Sequence, residues 1–199
     1  MGNAALEAIG KRRTQYALGR NLPIGRDETI ALIKQAIRLS PSAFNSQSSR
    51  AVILHGAQSD KFWSLVKDAL RKIVPAESFA ATEQKLDGFA AGAGTVLFFE
   101  DQDVVANLRE QFALYADNFP VWSEHSTGIA QFAVWTTLAN AGIGASLQHY
   151  NPLVDEAVRK EWGVPANWKL RAQMPFGSNE APFGEKTFID DDTRFKVIG

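Results

Sequence analysis

An α+β fold, with helices and strands mixed rather than alternating, is what this sequence predicts, and three observations carry the prediction. Helical-period apolar faces and short strand-like runs follow one another without the regular strand–helix–strand rhythm of a doubly wound sheet. The run Gly94 to Phe99 has the length and composition of a buried strand. A stretch free of Asp, Glu, Lys and Arg runs from Ser126 to Tyr150, and Gly142 and Gly144 divide it into a long helix and a following strand. At 199 residues the chain supports one sizeable core, so a single domain over 1–199 is expected.

The elements follow in order. A short N-terminal helix ends near Lys11. Asp27 to Leu39 is a helix with Ile30, Ile33 and Ile37 near helical spacing, and Pro41 disfavours helix at Ser40. Ala51 to His55 reads as a strand. Ser59 is placed to cap a helix carrying Phe62, Leu65, Val66, Ala69, Leu70 and Ile73 on one face. After the Gly94 strand, Asp103 to Tyr115 is helical, and Val121 to Ala141 is the long uncharged helix, stopped by Gly142. Ser146 to Tyr150 reads as a strand, Pro152 to Trp162 as a helix with proline in its first turn, and Lys169 to Phe176 as a final strand.

Composition removes several function classes. With 21 Lys and Arg against 22 Asp and Glu the net charge is -1, and the cations are dispersed, so neither nucleic acid nor an anionic membrane is an expected partner. The charge-free stretch is long enough to span a bilayer, but its Thr, Gln, Asn and His residues and paired glycines favour a buried helix and strand. The absence of cysteine excludes disulfides, thiol catalysis and the usual structural zinc sites. His55, His125 and His149 fall into no ligand spacing, so no metal is expected. No leader pattern precedes the first helix, and the cytoplasm is the expected location. Any electron transfer would need a bound cofactor.

Two clusters carry the chemistry. The segment from Ser40 to Gln47, SPSAFNSQ, sets small hydroxyls and two amides in a loop directly after a helix, and amides both donate to ring carbonyls and accept from ring N–H groups. Lys11, Arg12, Arg13 and Thr14 offer cations and a hydroxyl of the kind that bind phosphate. Taken alone, the first reads more readily as turn-forming residues and the second as a solvated helix end. Together they suggest a phosphorylated heterocycle such as a flavin nucleotide.

Arg12-Arg13-Thr14 followed by Pro41-Ser42-Ala43-Phe44-Asn45-Ser46-Gln47 resembles the nitroreductase family of FMN-dependent oxidoreductases, whose pattern is Arg-x-Ser/Thr and then Pro-Ser-x-x-Asn-x-Gln. The resemblance continues through Lys85-Leu86-Asp87-Gly88-Phe89, Gly94 to Glu100, Gly142 to Pro152 and Gly184-Glu185-Lys186, spanning nearly the whole chain. It is similar in particular to the fungal fatty-acid-repression-type nitroreductases and their bacterial relatives. The resemblance implies a three-layer sandwich, with a central, mainly antiparallel sheet flanked by helices, and an intertwined homodimer with FMN at the subunit interface. The uncharged Val121–Ala141 helix independently suggests association, and a charge at Ala133 or Leu138 is expected to disrupt it.

The resemblance also assigns residues. Arg12 and Thr14 contact FMN, with Arg13 contributing more variably, and Lys186 sits on the phosphate. Where many members carry a second arginine two residues on, this chain has Phe188, with Arg194 as an alternative cation. Ser42 faces the flavin ring edge, and Asn45 and Gln47 fix the loop or the flavin. Lys85 lies near the pyrimidine carbonyls, where a cation stabilises charge on the reduced ring. Leu147, Gln148 and His149 belong to the stretch whose backbone N–H approaches flavin N5, the backbone rather than the imidazole being the active part. Phe44, Phe79, Phe89, Tyr115, Phe119, Trp122 and Trp135 are read mainly as packing, and Tyr115 to Pro120 as the segment that decides substrate.

The function implied is transfer of a hydride from NADH or NADPH to FMN, then of electrons to a small acceptor such as a nitroaromatic or quinone, in a ping-pong cycle with no protein nucleophile. The alternative is an FMN-binding sensor with little turnover. A serine hydrolase built on Ser42 and His149 lacks the Gly-x-Ser-x-Gly elbow and an ordered acid partner.

Overall fold

The computed structural model describes residues 2–199. Its helices are α1 (Ala4–Lys11), α2 (Arg26–Leu39), α3 (Ala57–Leu70), α4 (Phe79–Ala90), α5 (Gln102–Gln111), α6 (Phe119–Asn140), α7 (Asp155–Trp162) and α8 (Asp191–Arg194). Its strands are β1 (Leu18–Gly19), β2 (Ser49–His55), β3 (Gly94–Asp101), β4 (Gly144–Ala145) and β5 (Trp168–Asn179). The sheet order is β1-β5-β3-β2, and β4 also pairs with β5, off that path. Every pairing between named strands is antiparallel, and one parallel bridge joins Thr14 to Ala145.

The sheet is a middle layer because β3 is buried along its whole length. Alternate side chains feed two cores. Val96 and Phe98 join Ile33, Val134, Leu138, Met174 and Phe176 under α2 and α6, whereas Leu97 and Phe99 join Phe62, Trp63, Leu86 and Phe89 under α3 and α4. The expected three-layer α+β arrangement is therefore the observed one. A bulge between Phe98 and Phe99 leaves Arg171 opposite no partner, and its Nε donates to Glu124 of α6 at 2.8 Å.

Several expectations need correction. Ser59 does not cap α3. Gly56 is the N-cap, while Ser59 is buried inside the helix, 2.7 Å from Thr95 Oγ1, which also accepts from Trp63 Nε1 at 2.9 Å. The serine serves helix–sheet packing, which capping statistics do not anticipate. In place of the expected strand at Ser146 to Tyr150 there is only a single bridge from Gln148 to Gln173, the two-residue β4 lying just before it, and Tyr150 N–H is taken by the Gln173 side chain at 2.7 Å. α7 begins at Asp155, so Pro152 lies in the preceding turn. Helix α4 went unread, its sparse apolar residues being Leu86 and Phe89 on one buried face. Leu138 is fully buried in its own chain's core, so a charge there would break the fold rather than an interface.

α6 does run through the charge-free stretch and ends at Gly142, whose φ of 77° supplies the left-handed stop. Val121, Ile129 and Phe132 are exposed along it, as are Leu6 and Ile9 on α1. No helix among the described residues is long and apolar enough to cross a membrane.

His55 closes β2 with its Nε2 enclosed and without a partner. Burial, and secondarily the Arg26 charge, hold its pKa below the ordinary 6.5. As pH falls the unfolded chain takes up this proton first, so stability present above about pH 6.5 is lost through that value and below it. His55→Gln should flatten this slope. Urea midpoints compared at about pH 7.5 and about pH 5.5 test this, and equal pH slopes in both proteins would refute it.

Candidate functional site

The loop after α2 is built on unusual backbone. Phe44, Asn45 and Gln47 have φ of 54°, 50° and 48°, a left-handed region that costs L-residues free energy unless the surroundings enforce it. Ser42 Oγ accepts from Gln47 N–H at 2.9 Å, and Ser126 Oγ of α6 accepts from Ala43 N–H at 3.3 Å. Arg50 Nη1 donates to Gln47 O at 2.5 Å and its Nη2 to Asp101 at 2.9 Å. These ties leave the Asn45 and Gln47 side chains exposed and without hydrogen-bond partners among the described residues. A cavity of about 570 Å³ opens beside them, lined by Ser40, Pro41, Ser42, Gln47, Arg50 and Trp168, within the range of small-molecule sites.

Phe44 sits half-exposed at the loop's tip. Its ring stacks on Trp122 at 5.9 Å and 18°, and meets Phe112 and Phe119 at 4.9 and 5.2 Å. Phe89 and Phe119 are core, as expected, but the Phe44–Trp122 pair forms an aromatic wall over the loop. Phe119 also roots the Tyr115–Pro120 segment in the core, while Arg109 Nε holds Ala116 O at 3.1 Å.

The second cluster lies elsewhere. Arg12 stacks its guanidinium over Trp135 of α6 at 4.4 Å, and Trp135 Nε1 donates to Ala145 O at 3.2 Å, beside the Thr14–Ala145 bridge. Trp135, read from sequence as packing, is thus the platform for the first arginine. Arg13 Nη2 donates to Gly184 O and its guanidinium lies 5.8 Å from the Phe183 ring, which draws the Gly184-Glu185-Lys186 segment alongside. Lys186 is exposed, with Nζ 5.0 Å from the Phe188 ring. Among the described residues Arg12, Arg13 and Lys186 form no ion pair, although Glu185 lies in the same segment as Lys186. Arg194 is exposed in α8, 5.7 Å from the Phe195 ring. Lys85 is exposed on α4, 5.9 Å from the Phe89 ring, which in turn meets Tyr16, two residues beyond Thr14.

Between these lies Leu147–His149. Gln148 is buried and its N–H donates to Gln173 O at 2.7 Å. The N–H groups of Leu147 and His149 point the other way along this extended segment and have no partner among the described residues. The His149 imidazole is exposed.

One chain does not bring the clusters together. Ser49 registers with Glu100 and Lys169, whereas Thr14 bridges Ala145, which registers with Phe176. Lys169 to Phe176 is roughly 23 Å at about 3.3 Å per residue, so the two clusters lie at opposite ends of the sheet. Sequence reasoning also missed Glu100 and Arg50, which brace the loop; an acid closing an apolar strand opposite Ser48-Ser49 was the available signal. No group of three or more potential metal ligands occurs among the described residues.

With this geometry in place, comparison with known proteins identifies the class. The nitroreductase family profile matches residues 9–178, and the chain belongs to the nitroreductase family. It is an oxidoreductase of that family. FRM2 and HBN1 of Saccharomyces cerevisiae, both named as nitroreductases, are each 37% identical to it, over 188 and 189 residues, covering 94% of this chain and 93% and 94% of theirs. The structure of nitroreductase CinD from Lactococcus lactis in complex with chloramphenicol superposes with a TM-score of 0.90 at 56% identity, over 98% of this chain and 100% of that one. A Desulfitobacterium hafniense nitroreductase with bound FMN shares the fold at 15% identity, with a TM-score of 0.73 over the whole of both chains.

Ser42→Ala removes the acceptor for Gln47 N–H and should cost the loop about 1 kcal/mol, read as faster hydrogen exchange at the Gln47 amide. Unchanged exchange at Gln47, with the chain otherwise native, would mean this bond does not hold the loop.

Proposed function

We propose that this protein is an FMN-dependent oxidoreductase that uses NADH or NADPH to reduce nitroaromatic or quinone-like acceptors, working as a homodimer in the cytoplasm, with residues 1–199 as one domain. One observation carries the reading. The chain presents two half-sites, one of unpaired cations and one of exposed amides and hydroxyls, suited to opposite ends of a flavin nucleotide but far apart in a single copy. A second copy that sets its loop against the first copy's cations would complete two such sites.

The groups present fit FMN. Arg12, Arg13, Thr14 and Lys186 would hold the phosphate through charge-assisted bonds, with Trp135 fixing the Arg12 plane. Ser42, Asn45 and Gln47 of the other copy would bond the ring edge, and Lys85 would stand near its carbonyls. The free N–H groups of Leu147 and His149 would donate at N5, while the Gln148 N–H serves the sheet. FMN when bound supplies the redox chemistry, accepting a hydride and passing electrons on; the chain positions it and limits access. CinD has also been solved in complex with 4-nitrophenol, which supports a nitroaromatic as test acceptor.

Dimerisation has its own support. Beyond the exposed face of α6, strand β2 is an open sheet edge, and the chain after Ala181 leaves Phe188, Ile189, Val197 and Ile198 uncovered, Val197 being 94% exposed. Phe132→Glu should therefore yield monomers that have lost FMN, measured by sedimentation with flavin absorbance. A flavin-loaded Phe132→Glu monomer would contradict the composite site.

Arg12→Ala and Lys186→Ala should each weaken FMN binding roughly tenfold to a hundredfold, the effect of losing a charge-assisted bond of about 1.5–3 kcal/mol, with Arg13→Ala costing less. Wild-type affinity in both variants would place the phosphate elsewhere. Initial rates over a grid of NAD(P)H and 4-nitrophenol or a quinone should give parallel reciprocal lines, because both substrates use one face of one ring. Intersecting lines would require a ternary complex, and no turnover with any acceptor would leave an FMN-binding protein that is not an enzyme of this kind.

A further inference from the structure

We propose that Glu100, a residue of the sheet rather than of the loop, is a positioning residue for the ring end of the cofactor site, acting through Ser48 and Ser49 on the Ser42–Gln47 loop. The inference rests on the flavin reading of that loop.

Glu100 lies near the end of β3 and is completely buried, with 0% exposure and no ion-pair partner among the described residues. A carboxylate so placed is costly unless its oxygens are hydrogen-bonded. Three hydroxyls meet that need. Ser48 donates to Oε2 at 2.5 Å, Ser123 of α6 donates to the same oxygen at 2.7 Å, and Ser49 donates to Oε1. Ser48 and Ser49 follow directly after Gln47, so the carboxylate ties the loop's C-terminal stem both to β3 and to α6. The neighbouring Asp101 completes the grip: it pairs with Arg50, whose other guanidinium nitrogen holds Gln47 O at 2.5 Å.

The loop needs such a grip because three non-glycine residues within four positions hold positive φ. Conformations of that kind persist only where their surroundings over-determine them. The loop's other polar ties are two turn bonds of its own, Asn45 N–H to Ser42 O and Ser46 N–H to Ala43 O at 3.0 Å each, the Gln47–Ser42 and Ala43–Ser126 bonds, and a long Ser46–Ser48 contact of 3.4 Å, and of these only Ala43–Ser126 reaches outside the segment and its stem. Hydrogen bonds donated by the stem hydroxyls to a buried, immobile carboxylate decide where the left-handed stretch begins and ends. They therefore decide where the Asn45 and Gln47 amides point. Glu100→Gln keeps the shape but replaces one acceptor oxygen with an amide NH2 and removes the carboxylate, so the serine facing that position must accept rather than donate and the remaining bonds lose their charge assistance.

The experiment is titration of the apoprotein with FMN and with riboflavin, for wild type, Glu100→Gln and Arg12→Ala, together with the reduction potential of whatever flavin remains bound. Glu100→Gln, folded by circular dichroism, should weaken FMN and riboflavin by the same factor, roughly tenfold. It should also shift the potential of the bound flavin, which a purely structural weakening would leave in place. Arg12→Ala should weaken FMN alone, because riboflavin has no phosphate. A folded Glu100→Gln protein with wild-type affinities and potential overturns the proposal. If Glu100→Gln does not fold, Ser48→Ala replaces it under the same criteria, and unchanged flavin binding and potential there overturns it equally. A wild-type protein that takes up neither flavin removes the flavin reading itself, and this proposal with it.

Discussion

The pairing of β3 with β5 is the constraint on which the remaining structure hangs. Both strands are buried over most of their length, so the ladder cannot exchange its hydrogen bonds for water and is held in register from Gly94–Phe176 to Asp101–Trp168. Each end of the ladder then serves one half-site. At one end β3 finishes in Glu100 and Asp101, which anchor the loop after α2. At the other end β5 receives β4 and β1, and with them the Thr14 segment.

Close approach at that second end is made possible by glycine. A Cβ on Gly177 would lie 2.1 Å from the Gly19 carbonyl oxygen, so the β1–β5 junction tolerates no side chain there. The polypeptide leading out of α1 is thereby laid flat against the sheet edge, and Arg12 is set over Trp135. α6 spans the distance between the half-sites, contributing Ser123 and Ser126 to the loop end and Trp135 to the cation end. One rigid helix thus fixes the separation of the two clusters.

Polar burial is economical in this protein. Glu100 is satisfied by hydroxyls alone, Thr95 serves both Ser59 and Trp63, and Gln173 uses its backbone and its side chain to fix the Gln148–Tyr150 segment. These arrangements stiffen the frame around the site, whereas the groups facing outward from it, Asn45, Gln47, Arg12 and Lys186, are left unpaired. A rigid frame that leaves polar groups unpaired at its surface is the form that preorganised binding sites take.

The sequence by itself determined what local chemistry determines. The periodicity of Asp27–Leu39, the apolar run of Gly94–Phe99 and the stop at Gly142 each rest on residues close together in the chain, and each element forms where those residues indicate. The two polar clusters were legible for the same reason, as short runs of one chemical character. Helix α4 was not, because only two of its residues are buried and the periodic signal is correspondingly thin. Ser59, Trp135 and Glu100 take their roles from partners 36, 10 and as many as 52 residues away. No spacing within the chain records such partners, since side-chain satisfaction in a buried site depends on which segments the sheet brings together. The separation of the two clusters was likewise decided only in three dimensions, by the length of the strand that lies between them.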